Sequence, residues 1–177
     1  MPATTELPIG HSTEVSADLL QKHDSQVGVM REFTWLEVNQ LVAANRLELL
    51  GRTTLKELQY RADMHEVRAQ YGSVATYIRQ VKLAAFIADS SEQFLLVLND
   101  YPYAVPNDAQ HYIVWSKTEL SPGCVPDPDV EAFIVERLGA QTDGAYEWVW
   151  FVNPPYLQSI PEVVHGHLIV RTVALTE

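Results

Sequence analysis

Cationic side chains are scarce in this 177-residue sequence: 12 Lys and Arg stand against 23 Asp and Glu, a formal net charge of -11. The imbalance deepens along the chain. From residue 100 onward only Lys117, Arg137 and Arg171 are basic, against eleven acidic residues. A field of that sign repels nucleic acid and anionic membranes, so neither is an expected partner. It also leaves few groups to hold a polyphosphate without a metal. Cysteine is nearly absent: Cys124 is the only one, which excludes an internal disulfide and suits a reducing compartment. It lies in SPGCVPDPD with no basic neighbour to lower its pKa, so it makes a poor nucleophile. The first residues, MPATTELPIGHSTE, lack the basic start and apolar core of a secretory signal. No stretch approaches the ~20 apolar residues that cross a bilayer. Repeats, low-complexity tracts and a G-x-S-x-G elbow are also missing. A soluble, cytoplasmic protein is the expectation.

What the sequence does contain is a globular composition, with 47% apolar and 20% charged residues. The length suits one domain with a substantial core. Residues 1–30 are polar and lack an apolar period, which predicts a flexible lead-in with a short helix at Ser16–Lys22. A single domain over 31–177 follows. In TWLEVNQLVAANRLELLG, Thr34 and Glu37 form a capping box, and Leu36, Leu41 and Val42 share a helix face up to the break at Gly51. Thr54 and Glu57 read as a second capping box, opening a helix through LKELQYRADMHEVRAQ. Tyr71-Gly72-Ser73 punctuates, and SVATYIRQVKLAA reads as a third helix. The period then changes. EQFLLVLN and HYIVWSK, separated by turn-rich NDYPYAVPNDAQ, read as strands. Asp129 is placed to cap a helix, VEAFIVERLG, ended by Gly139. AYEWVWFVN and VVHGHLIVRTVAL supply two more strands, joined by NPPYLQSIPE. Helices first and a mostly antiparallel sheet afterwards define an α+β class.

The chemistry concentrates in PEVVHGHLIVRT. Strand side chains alternate, so His165, His167 and Ile169 project from one face and Val164, Leu168 and Val170 from the other. Gly166, on the second face, allows another segment to approach closely. His111 opens HYIVWSK and shares its face with Ile113, Trp115 and Lys117. In EWVWFVNPPY, Trp148, Trp150 and Val152 alternate with Glu147, Val149, Phe151 and Asn153. Tyr101, Tyr103 and Tyr156 fall in loops at strand ends, where binding groups are often displayed.

Three chemistries are open to these residues. The H-x-H pair with His111 or Glu162 would give three metal ligands, but no further His or Cys falls at a supporting spacing, and no metal is expected. A histidine that attacks phosphorus needs cations for the displaced charge, and those are scarce. An apolar, aromatic pocket with neutral donors instead folds an uncharged substrate into a reactive shape. The composition fits this last site best, with His165, His167 and His111 as catalytic groups. Asn153, Tyr103, Tyr156, Gln158 and Ser159 are then substrate-binding, and Trp115, Trp148 and Trp150 are walls. Core packing alone also explains each aromatic. The expected partner is a small apolar metabolite, with no cofactor.

Several segments together resemble a fungal family named for an N-acetylglucosamine-induced protein, a domain of unknown function. FTWLEVNQLVAANRLELLGR, AQYGSVATYI, LVLNDYPY, HYIVWSK and VWFVNPPYLQSIPEVVHGHLIV carry the resemblance, in order, over residues 33–171. Two pieces, LNDYPYAVPNDAQHYIVWSK and NPPYLQSIPEVVHGHLIVR, are more distantly similar to the histidine-triad superfamily. That similarity implies helices packed on a histidine-triad-like antiparallel sheet. Within it His165 and His167 match two of the alternating histidines, Gln158 and Ser159 the polar pair before them, and Asn153 the upstream amide. The third histidine is missing: the alternation reads Val163, His165, His167, Ile169. If the triad starts at Val163, His165 is its middle residue; if it starts at His165, His167 is. The departure, with the sparse positive charge, turns the reading away from nucleotide hydrolysis or transfer. Val164 and Gly166 also stand where the induced family is expected to carry bulky aromatics, and smaller residues there reshape a cavity. The resulting expectation is a fungal enzyme of secondary metabolism that cyclises or rearranges an apolar metabolite, in a reaction of Diels–Alder type. The alternatives are a histidine-triad-like nucleotide hydrolase or transferase and a non-catalytic, amino-sugar-responsive binding protein.

Overall fold

The computed structural model describes residues 27–141 and 145–173. The expected helix at Ser16–Lys22 lies outside the described residues. Val29 forms a parallel bridge with Thr53, its N–H donating to the Arg52 carbonyl at 2.8 Å, so the chain is already tied to the fold two residues before position 31.

Four segments rich in β-branched and aromatic residues form one antiparallel sheet: β1 (Phe94–Leu98), β2 (Ala109–Ser116), β3 (Ala145–Phe151) and β4 (His165–Val173). The strand order is β1-β2-β4-β3. In the centre, β4 pairs His167 with Ile113 on one side and with Phe151 on the other. Paired residues share a face, which puts His111, Ile113, Trp115, Val149, Phe151, His165, His167 and Ile169 together. Val38, Leu41 and Val42 of α1 (Trp35–Ala43) cover part of that face around Phe151 and Ile169. Ala75 of α3 (Val74–Tyr77) and Phe86 of α4 (Ala84–Ala88) cover Ile113 and Trp115. Val130, Ile134 and Leu138 of α5 (Pro128–Gln141) cover the opposite face, against Val114, Trp150 and Leu168. The architecture is α+β, with helices on both faces of the sheet. Every residue from His165 to Val170 is therefore buried, whichever way it points.

Local signals were partly legible. The Thr34–Glu37 capping box forms, with the Thr34 N–H donating to Glu37 Oε2 at 2.7 Å and the Glu37 N–H donating back to Thr34 Oγ1 at 3.3 Å. Leu36, expected on the core face, is exposed, because α1 turns Val38, Leu41 and Val42 inward. The helix stops at Ala43; Asn45, at φ 52°, reverses the chain into a 3-10 turn at Leu47–Leu49. The second box does not form. Thr53, without a side-chain bond, caps α2 (Thr54–Tyr71), and the Glu57 carboxylate is taken by Arg52 and Arg61. The third expected helix is interrupted by a π-turn at Ile78–Lys82 between α3 and α4. In α5 the Asp127 carbonyl accepts from the Glu131 N–H, which places Asp129 inside the first turn, and the helix runs past Gly139.

The sharpest steric constraint is Gly166. A Cβ there would meet the Trp150 indole at 2.1 Å from Cη2, so the missing side chain seats the ring across the β3–β4 pair. Gly166→Ala is expected to destabilise the protein by about 1–3 kcal/mol in urea denaturation. Combining it with Trp150→Leu should cost at least about 0.5 kcal/mol less than the sum of the two single changes. Strict additivity would show that the indole is not the obstacle.

Candidate functional site

Two strands and one loop converge on His167. It sits on β4 between Ile113 and Phe151, and the Phe151 ring stacks on it at a 4.8 Å centroid distance and 10°. The β1–β2 loop folds back over the same spot. Its position is fixed by main-chain bonds from Phe33 N–H to the Ala104 carbonyl (2.7 Å) and from Ala104 N–H to the Gly51 carbonyl (2.8 Å). Tyr103 on that loop stacks against His167 at 5.3 Å and meets His111 edge-on at 4.8 Å. Asn153, two residues past the end of β3, completes the group.

These polar atoms form a continuous chain. The Tyr103 main-chain N–H donates to His111 Nδ1 at 3.0 Å, and Asn99 Nδ2 lies 3.5 Å from the same atom. His111 Nε2 and His167 Nδ1 are 3.0 Å apart. His167 Nε2 is 3.2 Å from the Asn153 amide, at Nδ2, which is also 3.0 Å from the Tyr103 hydroxyl. The other amide atom of Asn153, Oδ1, is buried without a partner. Gln158 steadies the segment by donating to the Asn153 carbonyl at 2.7 Å. His165 stands apart: its Nδ1–H donates to the Val163 carbonyl at 2.7 Å, and Trp115 lies against its ring at 5.1 Å. Among the described residues no hydrogen bond reaches its Nε2.

Burial sets the electrostatics. His111, 1% exposed, has its pKa lowered to about 3 by loss of solvent and, secondarily, by the charge of Arg52. His167 is held well below the ordinary histidine value by the same desolvation, with lesser contributions from His111, His165 and Arg52. Burial also lowers His165, partly offset by its bond to Val163. The Tyr103 hydroxyl is pushed up by desolvation. Arg52, the cation felt by both inner histidines, is engaged elsewhere. It donates to the Tyr101 carbonyl and to the Glu57 carboxylate, each at 3.0 Å, and lies over the Tyr60 ring at 3.9 Å. Burial thus favours the uncharged form of all three imidazoles.

The sheet thus brings together His111, His167, Asn153 and Tyr103, with His165 and Trp115 beside them. It does not bring Trp148 or Trp150: both point to the opposite face and pack in the α5 cluster, so they are not walls of the histidine site. Phe151 and Tyr103 take that place. Tyr156 is 79% exposed and lines a separate groove of about 170 Å³ with Asn45, Leu47, Pro122, Gly123 and Pro154. Ser159 is exposed, as is Glu162, whose carbonyl accepts from Arg79. Among the described residues no three His, Cys, Asp or Glu side chains are grouped to hold a metal ion. Cys124 points its thiol at Asn45 Oδ1, and burial raises its pKa, the wrong direction for a nucleophile. Asn99 escaped the sequence reading, although its place between an apolar run and a turn-rich loop is a strand-end signal. Among the described residues no helix is long and apolar enough to cross a membrane.

Comparison with known proteins adds a family. An uncharacterized protein of Saccharomyces cerevisiae is 22% identical over 173 residues, covering 86% of this chain and 84% of its own length. N-acetylglucosamine-induced protein 1 of Candida albicans is 18% identical over 197 residues, covering 92% of this chain and 78% of its own. The crystal structure of a protein called HTC1 shares the fold, with a TM-score of 0.52 and 21% identity over 80% of this chain and 86% of that one. A model of a family of unknown function, DUF3605, matches residues 34–171. That span holds α1 through the paired core of β4 and every residue of the histidine cluster, and the chain belongs to this family.

Proposed function

We propose that the protein is a cofactor-free enzyme of fungal secondary metabolism that cyclises or rearranges an uncharged, apolar metabolite, with a Diels–Alder-type reaction as the leading case. The observation that carries this reading is the neutrality of the site: two fully buried imidazoles bonded to one another, beside an amide and a phenol, with the nearby guanidinium of Arg52 engaged by Glu57. Such a site stabilises no displaced phosphate. It suits a reaction in which no net charge is created, where fixing a flexible chain in a reactive shape removes much of the barrier. A hydrogen bond to a substrate carbonyl lowers the rest. In this reading Asn153 carries the polar contact, Tyr103, His111 and His167 hold it in place, and Phe151 supplies an apolar surface.

One observation favours a second reading. His165 has Nδ1–H tied to the Val163 carbonyl, which leaves the Nε2 lone pair as a nucleophile of the histidine-triad kind. It requires a nucleotidyl- or phospho-histidine adduct on incubation with labelled nucleotide, lost in His165→Ala; absence of any adduct removes it.

Neutrality has a thermodynamic signature. A histidine whose folded pKa lies below its unfolded value binds its proton more readily in the unfolded chain. Its contribution is therefore complete above pH ~6.5 and is lost as pH falls toward the folded pKa, about 3 for His111. Over that window His111 should lower stability by about 1.4 kcal/mol per pH unit. Urea denaturation from pH 7 to 4 should show this slope, reduced by about that amount in His111→Gln; an unchanged slope in the variant would mean that His111 is not buried neutral. For the reaction itself, deletion of the gene in its host should accumulate an open-chain isomer of the lost product, of identical mass, which purified protein converts. A precursor differing by the mass of phosphate or nucleotide would overturn the cyclisation reading, as would the absence of any isomer.

A further inference from the structure

The hydrogen-bond chain through the histidines has only one direction in which its protons fit. Asn99 Oδ1 accepts from the Tyr101 N–H at 2.9 Å, so the Asn99 amide turns its NH2 toward His111. The Tyr103 main-chain N–H, which cannot rotate, points at the same ring nitrogen. Two donors therefore converge on His111 Nδ1, which must be the unprotonated nitrogen, and the proton of this neutral ring sits on Nε2. His111 Nε2–H then donates to His167 Nδ1, and the His167 proton is forced onto Nε2. That N–H faces Asn153 at 3.2 Å. With the amide nitrogen there, two donors would oppose each other; with the amide oxygen there, it accepts from both His167 Nε2–H and the Tyr103 hydroxyl. The nitrogen and oxygen of a side-chain amide are assigned from such networks. The opposite sense, with His167 protonated on Nδ1, would put a proton on His111 Nδ1 against the Tyr103 N–H.

We infer that Asn153 gives its amide oxygen to His167 and Tyr103 and turns its NH2 away from the histidines, as the donor that contacts a neutral oxygen acceptor on the bound ligand. The position the NH2 takes is the buried amide atom that has no partner, on a side chain only 4% exposed. A buried donor pair without an acceptor is costly, and a ligand carbonyl, ester, amide or ether oxygen satisfies it. A carboxylate or phosphate does not suit the site, because no cation is bonded to the Asn153 amide, Tyr103 hydroxyl or His167 among the described residues. In this arrangement His111 is a positioning residue. It never touches the ligand, yet it sets the tautomer of His167 and through it the orientation of the amide.

The inference rests on reading the site as neutral, and deepens it by naming the group recognised. Long-range nitrogen–proton NMR of the labelled full chain should show His111 and His167 both protonated on Nε2; an Nδ1–H tautomer at either would overturn it. Titration with N,N-dimethylacetamide, an acceptor without a donor, should shift the Asn153 NH2 protons saturably. Asn153→Asp keeps an oxygen for His167 and Tyr103 and puts a second carboxyl oxygen where the NH2 stood. It should weaken that probe at least tenfold while leaving both histidine tautomers in place. A wild-type protein with no saturable shift, or a folded variant that binds as wild type, would overturn the proposal; if the variant does not fold, the wild-type tautomers and titration decide it. The expected tautomers and shift, without an isomer accumulating on gene deletion, would remove the cyclisation reading alone.

Discussion

Because β4 runs through the middle of a sheet with helices on both faces, the His167 imidazole it carries is almost wholly shut off from bulk water. His167 must find its hydrogen-bond partners inside the protein or go without, and an unpartnered buried polar group costs about 1–3 kcal/mol. This constraint organises the rest of the site. It requires a partner on β2, which is His111, and another beyond β3, which is Asn153. His111, equally buried, draws the β1–β2 loop back over itself through the Tyr103 N–H. The loop in turn is fastened to the α1 layer by Phe33 and Gly51. The polar cluster and the fold around it are one construction.

Electrostatics works by distance rather than by sign. The chain is strongly acidic, yet the histidine cluster itself contains no Asp, Glu, Lys or Arg, and several described cations are paired at the periphery: Arg31 with Glu37, Lys82 with Asp100, Arg137 with Glu92 and Arg171 with Asp108. Exposed pairs of this kind contribute little to stability, commonly 0–1 kcal/mol each. Their effect here is to leave carboxylates and guanidinium groups where water screens them, so that the interior remains uncharged.

Short-range signals were the legible ones. The Thr34–Glu37 box depends on four consecutive residues and forms as read; the Thr54–Glu57 pair has the same spacing, but Thr53 is the N-cap, which puts Thr54 inside the helix and leaves Glu57 to Arg52. For the site, alternation already separated Asn153 from Trp148 and Trp150, since they fall on opposite sides of β3. What alternation lacks is register. Only the pairing of Phe151 with His167 decides which side of β3 meets the histidines, and that choice discards both tryptophans. The role of Tyr103 was beyond any residue-type argument, because half of it is a main-chain N–H. The π-turn at Ile78–Lys82 left no mark in a sequence that suits a regular helix.

The strand order also has a temporal meaning. β1 pairs with β2, the next strand in the chain, and β3 with β4, so each half of the sheet closes between consecutive strands. The β2–β4 seam is different: the bond from His111 to His167 spans 56 residues, with α5 between them. Contacts of large sequence separation carry the greatest loop-closure cost and generally form late. The two inner histidines lie on opposite banks of that seam. Neither half of the sheet can assemble their bond alone, so the pair comes into being only when the two hairpins join.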